Sequence, residues 1–135
     1  MFRKWLVFGA LAALVSVITG AMGTHYLKER MGLPPERVAI FETGARYQMY
    51  HSFAIIATAI FAAFSAHRKM LHYAAACFAA GMLLFSCSLY VLGPLTGETL
   101  LRWKWLGAIT PLGGLAFMAG WALLALAAWK FKKAD

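Results

Sequence analysis

At 135 residues, with 62% hydrophobic, only 13% charged and a mean hydropathy of +0.68, the chain is too apolar for a soluble domain of its size. Its formal net charge of +8 would suit a nucleic-acid binder, but the basic residues are scattered over every connection between apolar runs. Composition therefore excludes a soluble catalytic domain and a nucleic-acid partner, and leaves an integral membrane protein whose first partner is the lipid bilayer.

A membrane-crossing helix needs about 20 apolar residues. Four windows qualify: about 5–24, 47–66, 72–92 and 105–129. The expected fold class is all-α, a single domain over 1–135 forming an integral membrane four-helix bundle, with a short amphipathic surface helix at about 35–46 between spans 1 and 2. Arg3 and Lys4 ahead of an apolar run also resemble a signal peptide, with Gly20-Ala21 as a small-residue cleavage site, but the run is longer than an h-region.

The first span places Ala12, Ser16, Gly20 and Thr24 on one face, which invites close helix contact. It ends in Gly20-Ala21-Met22-Gly23-Thr24-His25, too rich in glycine for a stable exposed helix, so a tightly packed or bent exit is expected. In the long first connection, Gly32-Leu33-Pro34-Pro35-Glu36 reads as a break followed by a helix start. Val38, Phe41 and Ala45 then form an apolar stripe among Glu36, Arg37, Glu42 and Arg46, the pattern of a surface helix that bends into span 2 near Gly44.

Span 2 opens with Arg46-Tyr47-Gln48-Met49-Tyr50-His51, a hydrogen-bonding cluster just inside an apolar run, which is costly unless other spans supply partners. Ala59, Ala63 and Ala66 below it suggest a packing stripe. The connection 67–71 is short enough to make spans 2 and 3 antiparallel neighbours. Span 3 carries Cys77 and Gly81 on one face, then Phe85-Ser86-Cys87-Ser88-Leu89-Tyr90. Cys77 and Cys87 sit about 15 Å apart along one helix, too far to pair, and no cysteine or histidine spacing suits a metal. After the breakers Gly93-Pro94 and Gly97, span 4 meets Gly107-Ala108-Ile109-Thr110-Pro111-Leu112-Gly113-Gly114, where a kink and a backbone contact are expected, and Gly120 continues the small face.

The segments Gly20 to His25, Arg46 to His51, Phe85 to Tyr90 and Ile109 to Leu115, with Gly120-Trp121, together resemble the small bacterial inner-membrane family known as domain of unknown function 423, whose eukaryotic relative is transmembrane protein 256. The likeness runs in order over essentially the whole chain. Thr24, Gly44 and Cys87 stand where that family usually has Ala, Ala and Gly, each exchange keeping a small residue. The resemblance implies a four-span membrane protein with no established activity and no catalytic residues to assign.

Seven of the 13 Lys and Arg residues fall on the N-terminus, the second connection and the C-terminal tail, within about half the length that the other six occupy. Both termini are therefore expected in the cytoplasm. Depth counting from the opposite boundary, at about 1.5 Å per residue, puts His25 and Arg46 at the surface and Tyr47, Gln48, His51, Ser86, Ser88, Tyr90 and Thr110 just beneath. This outer-leaflet polar layer is either structural glue or a shallow site. Gly20, Gly23, Gly107, Pro111, Gly113, Gly114 and Gly120 are the expected packing or kink positions. A structural or accessory membrane protein, packing with itself or with a larger complex, is expected first. Small-solute transport through the polar layer, or haem, quinone or metal binding through His25 and His51, are the alternatives. No enzyme activity, cofactor or metal is expected.

Overall fold

The computed structural model of the chain describes residues 2–134, and its regular structure is helical throughout. Helix α1 (Phe2–Ala21) runs on into a π-helical segment, Met22–Arg30; α2 is Pro35–Phe64. Then α3 (Arg68–Gly81), a π-helical segment (Met82–Ser86) and α4 (Cys87–Leu92) follow one another as one rod. Helix α5 (Gly97–Trp103), a 3-10 stretch (Lys104–Ala108) and α6 (Thr110–Trp129) complete the order. Four composite helices are long and apolar enough to cross a membrane: Phe2–Arg30, Pro35–Phe64, Arg68–Leu92 and Gly97–Trp129. The chain is thus an all-α, four-helix membrane bundle.

The two ends of the bundle are built differently. At one end the connection after α2 meets the C-terminal tail: Ala66 N donates to Lys132 O at 2.8 Å and Ala134 N to Phe64 O at 2.9 Å. Phe2 lies under the Arg68 guanidinium at the same end, 5.5 Å from ring centroid to charge. Both termini and the second connection therefore share this terminal end. The distal end carries the other two connections, and each turns through a glycine in the left-handed region, Gly32 at φ +60° and Gly97 at φ +56°, a conformation a Cβ would strain.

Helix α1 packs on α2, and α6 packs on α3, with α2 and α3 side by side between them. Burial follows that order. Within the membrane windows, 44% and 39% of residues are buried on spans 2 and 3, against 17% and 22% on spans 1 and 4. The middle of the core is Ala54, Ile55, Phe78, Met82 and Phe117; Leu27, Val38 and Phe41 fill the distal end, and Ala62, Leu71 and Ala127 the terminal end. Since lipid is as apolar as leucine, what holds these helices is close packing and polar bonds rather than exclusion from water.

Three expectations need correction. The amphipathic stretch at about 35–46 is the outer part of α2, which runs unbroken from Pro35 to Phe64. Its stripe is covered by the chain itself: Val38, Phe41, Gly44 and Ala45 are buried, so the helix has an interior to follow and does not lie down on a surface. Gly44 is a contact position, where a Cβ would stand 3.1 Å from Ser86 O and 3.1 Å from the Tyr90 ring. Second, Pro111 falls in the first turn of α6, where its missing N–H breaks no helical bond, and the stretch before it, Lys104–Ala108, is 3-10 helix. Third, the alanine stripe of α2 is Ala59 and Ala62, with Ala63 and Ala66 exposed.

Candidate functional site

The distal half of the bundle holds the polar side chains read from the sequence, but as three groups rather than one layer. The first joins α1, α2 and α4. Gln48 Nε2 donates to Ala12 O at 2.8 Å, and the Tyr90 hydroxyl donates to Gln48 Oε1 at 2.8 Å. The hydroxyls of Thr19 and Tyr90 lie 3.0 Å apart, and Ser16 Oγ, 4% exposed, donates to Ala45 O at 2.7 Å. Gly9 lets α1 come this close, since a Cβ there would stand 2.7 Å from the Ile56 side chain and 3.1 Å from Ser52 O.

The second group surrounds His51, between α2 and α6. Its Nδ1 lies 2.7 Å from Tyr47 O, one turn back on its own helix, and its Nε2 accepts from the Trp121 indole at 3.3 Å. A carbonyl can only accept, so Nδ1 carries the hydrogen and Nε2, facing an N–H, carries none. The ring stacks on Phe117, centroids 3.4 Å apart and planes at 6°, while Tyr47 packs on Phe85 at 4.7 Å. The third group is a single bond, Ser88 Oγ to Thr110 Oγ1 at 2.7 Å, joining α4 to the start of α6.

Glycines set how near the α3 to α4 rod and α6 approach. A Cβ on Gly113 would stand 2.5 Å from Phe85 N, and one on Gly120 2.6 Å from the Phe78 ring. Gly81 faces the Phe117 ring just as tightly. The π-helical segment Met82–Ser86 lies at this contact, its wider turn carrying Phe85 onto Gly113. Of the six glycines expected at packing or kink positions, Gly113 and Gly120 make such contacts, and Gly23 faces Glu42 and Phe41 at 3.1 and 3.4 Å. Gly20, Gly107 and Gly114 have no neighbour within 4 Å of the same position.

Other sequence candidates lie apart from these groups. His25 is exposed and pairs with Glu29 at 3.2 Å; Arg46 is exposed beside Thr43. His25 and His51 share neither a contact nor a cavity, and both ring nitrogens of His51 already face partners within the chain. Ser86 Oγ, fully buried, is the one side-chain polar atom among the described residues that is buried without a hydrogen-bond partner. No group of three His, Cys, Asp or Glu side chains among the described residues is placed to hold a metal. Sequence reading passed over Thr19, Phe117 and Trp121, and gave no weight to the hydroxyl of Ser16. Each is an ordinary member of an apolar span until its partner is known, and only the Gly120-Trp121 motif hinted at the last.

The comparisons place most of the chain in one family. A family model described as "Protein of unknown function (DUF423)" matches residues 19–114. The chain is 35% identical over 129 residues to the UPF0382 membrane protein YwdK of Bacillus subtilis, covering 96% of this chain and 98% of that one. It is 34% identical over 134 residues to the UPF0382 inner membrane protein YgdD of Escherichia coli K12, covering 97% and 93%. No solved structure matches. Four apolar spans, a family match that contains the second and third and reaches into the first and fourth, and relatives that align over nearly their whole length lead to one statement: this chain is a multi-pass membrane protein belonging to the DUF423 family.

Proposed function

We propose that the protein is a structural or accessory component of the bacterial inner membrane, acting by helix packing with itself or with a larger membrane complex rather than by catalysis. The observation that carries this reading is the internal pairing of the polar groups. Gln48, Tyr90, Thr19, Ser16, His51, Trp121, Ser88 and Thr110 meet partners within the chain, so each of the three groups acts as glue between helices. A solute path would instead present such groups to an open passage. The peripheral helices support the same reading: α1 and α6 expose most of their surface, with Gly20 and Gly114 open to a further helix.

Extraction in a mild detergent followed by native mass measurement tests it. A self-associated species, or the chain within a larger complex, is the expected result; a lone monomer at every detergent concentration overturns the proposal. The orientation belongs to the same reading, with both termini and the 65–67 connection in the cytoplasm. With Cys77 and Cys87 replaced by Ala, a cysteine at Glu98 should react with an impermeant thiol reagent in intact cells and one at Lys69 should not. Reversed labelling would invert the topology.

A further inference from the structure

At the distal end, α2, α4 and the stretch leading into α6 leave a cleft of about 460 Å3 that the polar groups do not fill. Ile40, Phe85, Leu89 and Leu100 form its apolar walls, and Arg37 and Lys104 stand among its lining residues. The guanidinium of Arg37 donates to Leu92 O and, through Nε at 3.2 Å, to Gly93 O, closing the last carbonyls of α4. Those bonds fix its position but leave its charge without a counter-ion. Among the described residues the one ion pair within 4 Å joins His25 to Glu29, so neither Arg37 nor Lys104 has a carboxylate partner.

Depth adds to this. Leu92 and Gly93 mark the end of the third span, so the two cations stand where headgroups lie, beside the stacked indoles of Trp103 and Trp105. From Leu92 the apolar wall descends through Leu89 to Phe85, about 10 Å of helix toward the bilayer core. We infer that this cleft binds one anionic phospholipid, its phosphate between Arg37 and Lys104 and one acyl chain against Leu89, Phe85 and Leu100. A zwitterionic lipid carries its own ammonium beside the phosphate, and two cations without a carboxylate partner favour a headgroup of net negative charge. The inference does not depend on the accessory role proposed above, nor on which leaflet the distal end faces.

The test uses the full chain in detergent, titrated with phosphatidylglycerol, phosphatidylcholine or inorganic phosphate while thermal unfolding and lipid retention are followed. Phosphatidylglycerol should stabilise the protein more than phosphatidylcholine at equal mole fraction, and inorganic phosphate should not reproduce the effect. Lys104→Gln should weaken phosphatidylglycerol binding about fivefold, the factor one basic residue supplies near an anionic surface. Lys28→Gln, removing an exposed cation of the same end that does not line the cleft, should leave it unchanged. Leu100→Trp, which fills the cleft without touching charge, should also weaken it. Equal stabilisation by the two lipids or by phosphate, equal losses in Lys104→Gln and Lys28→Gln, or unaltered binding in Leu100→Trp would each overturn the assignment.

Discussion

The seam between α1 and α2 and the seam between the α3 to α4 rod and α6 solve one problem with different chemistry. In the first, side chains reach across to backbone carbonyls: Ser16 to Ala45 O from one helix, Gln48 to Ala12 O from the other. In the second, glycines receive aromatic rings or backbone, with Gly81 against Phe117, Gly113 against Phe85 and Gly120 against Phe78. Among the described residues its side-chain polar crossings stand only at its two ends, Ser88 to Thr110 at the distal end and His67 Nε2 to Lys130 O, 2.6 Å, at the terminal end. A bond that crosses a seam in lipid is typically worth about 0.6 kcal/mol and rarely above about 2, because the separated helix also finds partners for its polar groups. A packed glycine has no such alternative, since an added methyl must displace what is already there. The second seam should therefore be the less tolerant of the two.

The largest effect is expected at Gly113. Its Cβ position lies 2.5 Å from Phe85 N and 2.9 Å from Phe85 Cα, backbone atoms that cannot rotate aside. Gly113→Ala should destabilise by about 1–3 kcal/mol, and Gly113→Leu should abolish the folded species. Gly114, the next residue, has open space at the same position and supplies the control: Gly114→Ala should leave stability within about 0.5 kcal/mol of the parent or raise it slightly, through the better helix propensity of alanine. Thermal unfolding followed by circular dichroism in one detergent compares the two. Equal losses at 113 and 114 would mean that α6 is not seated on α3 and α4 by this face.

That contrast also shows what the sequence could and could not convey. Spans and connections were legible, as was the gathering of the polar groups in one half of the bundle, because span length and apolar runs are set by the bilayer and need no knowledge of neighbours. Which face of each span turns inward was not. Span 4 is apolar all round, so no polar and apolar alternation marks its interior, and Gly107, Gly113 and Gly114 look alike until Phe85 is placed. The separate surface helix failed for a related reason: the Val38, Phe41 and Ala45 stripe suits a membrane surface or a protein interior equally well. The π-helical segment at 82–86 was invisible, having no composition of its own. The depth of His51 suggests a partner such as Ser86, Ser88 or Thr110, yet its contact on another span is the Trp121 indole, which no polar pattern in span 4 announces.

An intermediate loss is expected on the first seam. Gln48→Leu removes the donor to Ala12 O and the acceptor for the Tyr90 hydroxyl, two bonds at 2.8 Å each. Tyr90 keeps Thr19 within reach, so the cost should be about 1–2 kcal/mol, below that of Gly113→Leu. Gln48→Glu separates shape from charge. It keeps an acceptor for Tyr90 but loses the amide donor and adds a carboxyl in a buried position, so it should be worse than Gln48→Leu. Should Gln48→Leu be neutral, the first seam would rest on packing alone and the two seams would no longer differ in kind.

The smallest effect is expected at the ring pair between α2 and α6, where the two kinds of chemistry meet. His51 stacks on Phe117 at 3.4 Å and accepts from Trp121 at 3.3 Å, the longer limit of a good hydrogen bond. Trp121→Phe deletes the indole donor while keeping an aromatic side chain near Phe78, with a ring contact now at 5.1 Å, so the loss should stay below about 1 kcal/mol. His51→Gln should cost little more, since an amide can still accept from Trp121, whereas His51→Leu leaves the indole without an acceptor and also trades the stacked ring for a branched chain. If the bond matters, the effects of Trp121→Phe and His51→Leu should not add in the double variant, because either change removes the same interaction. Strict additivity in detergent unfolding would show that the imidazole and the indole act separately, His51 through its stack on Phe117 and Trp121 through its contact with Phe78.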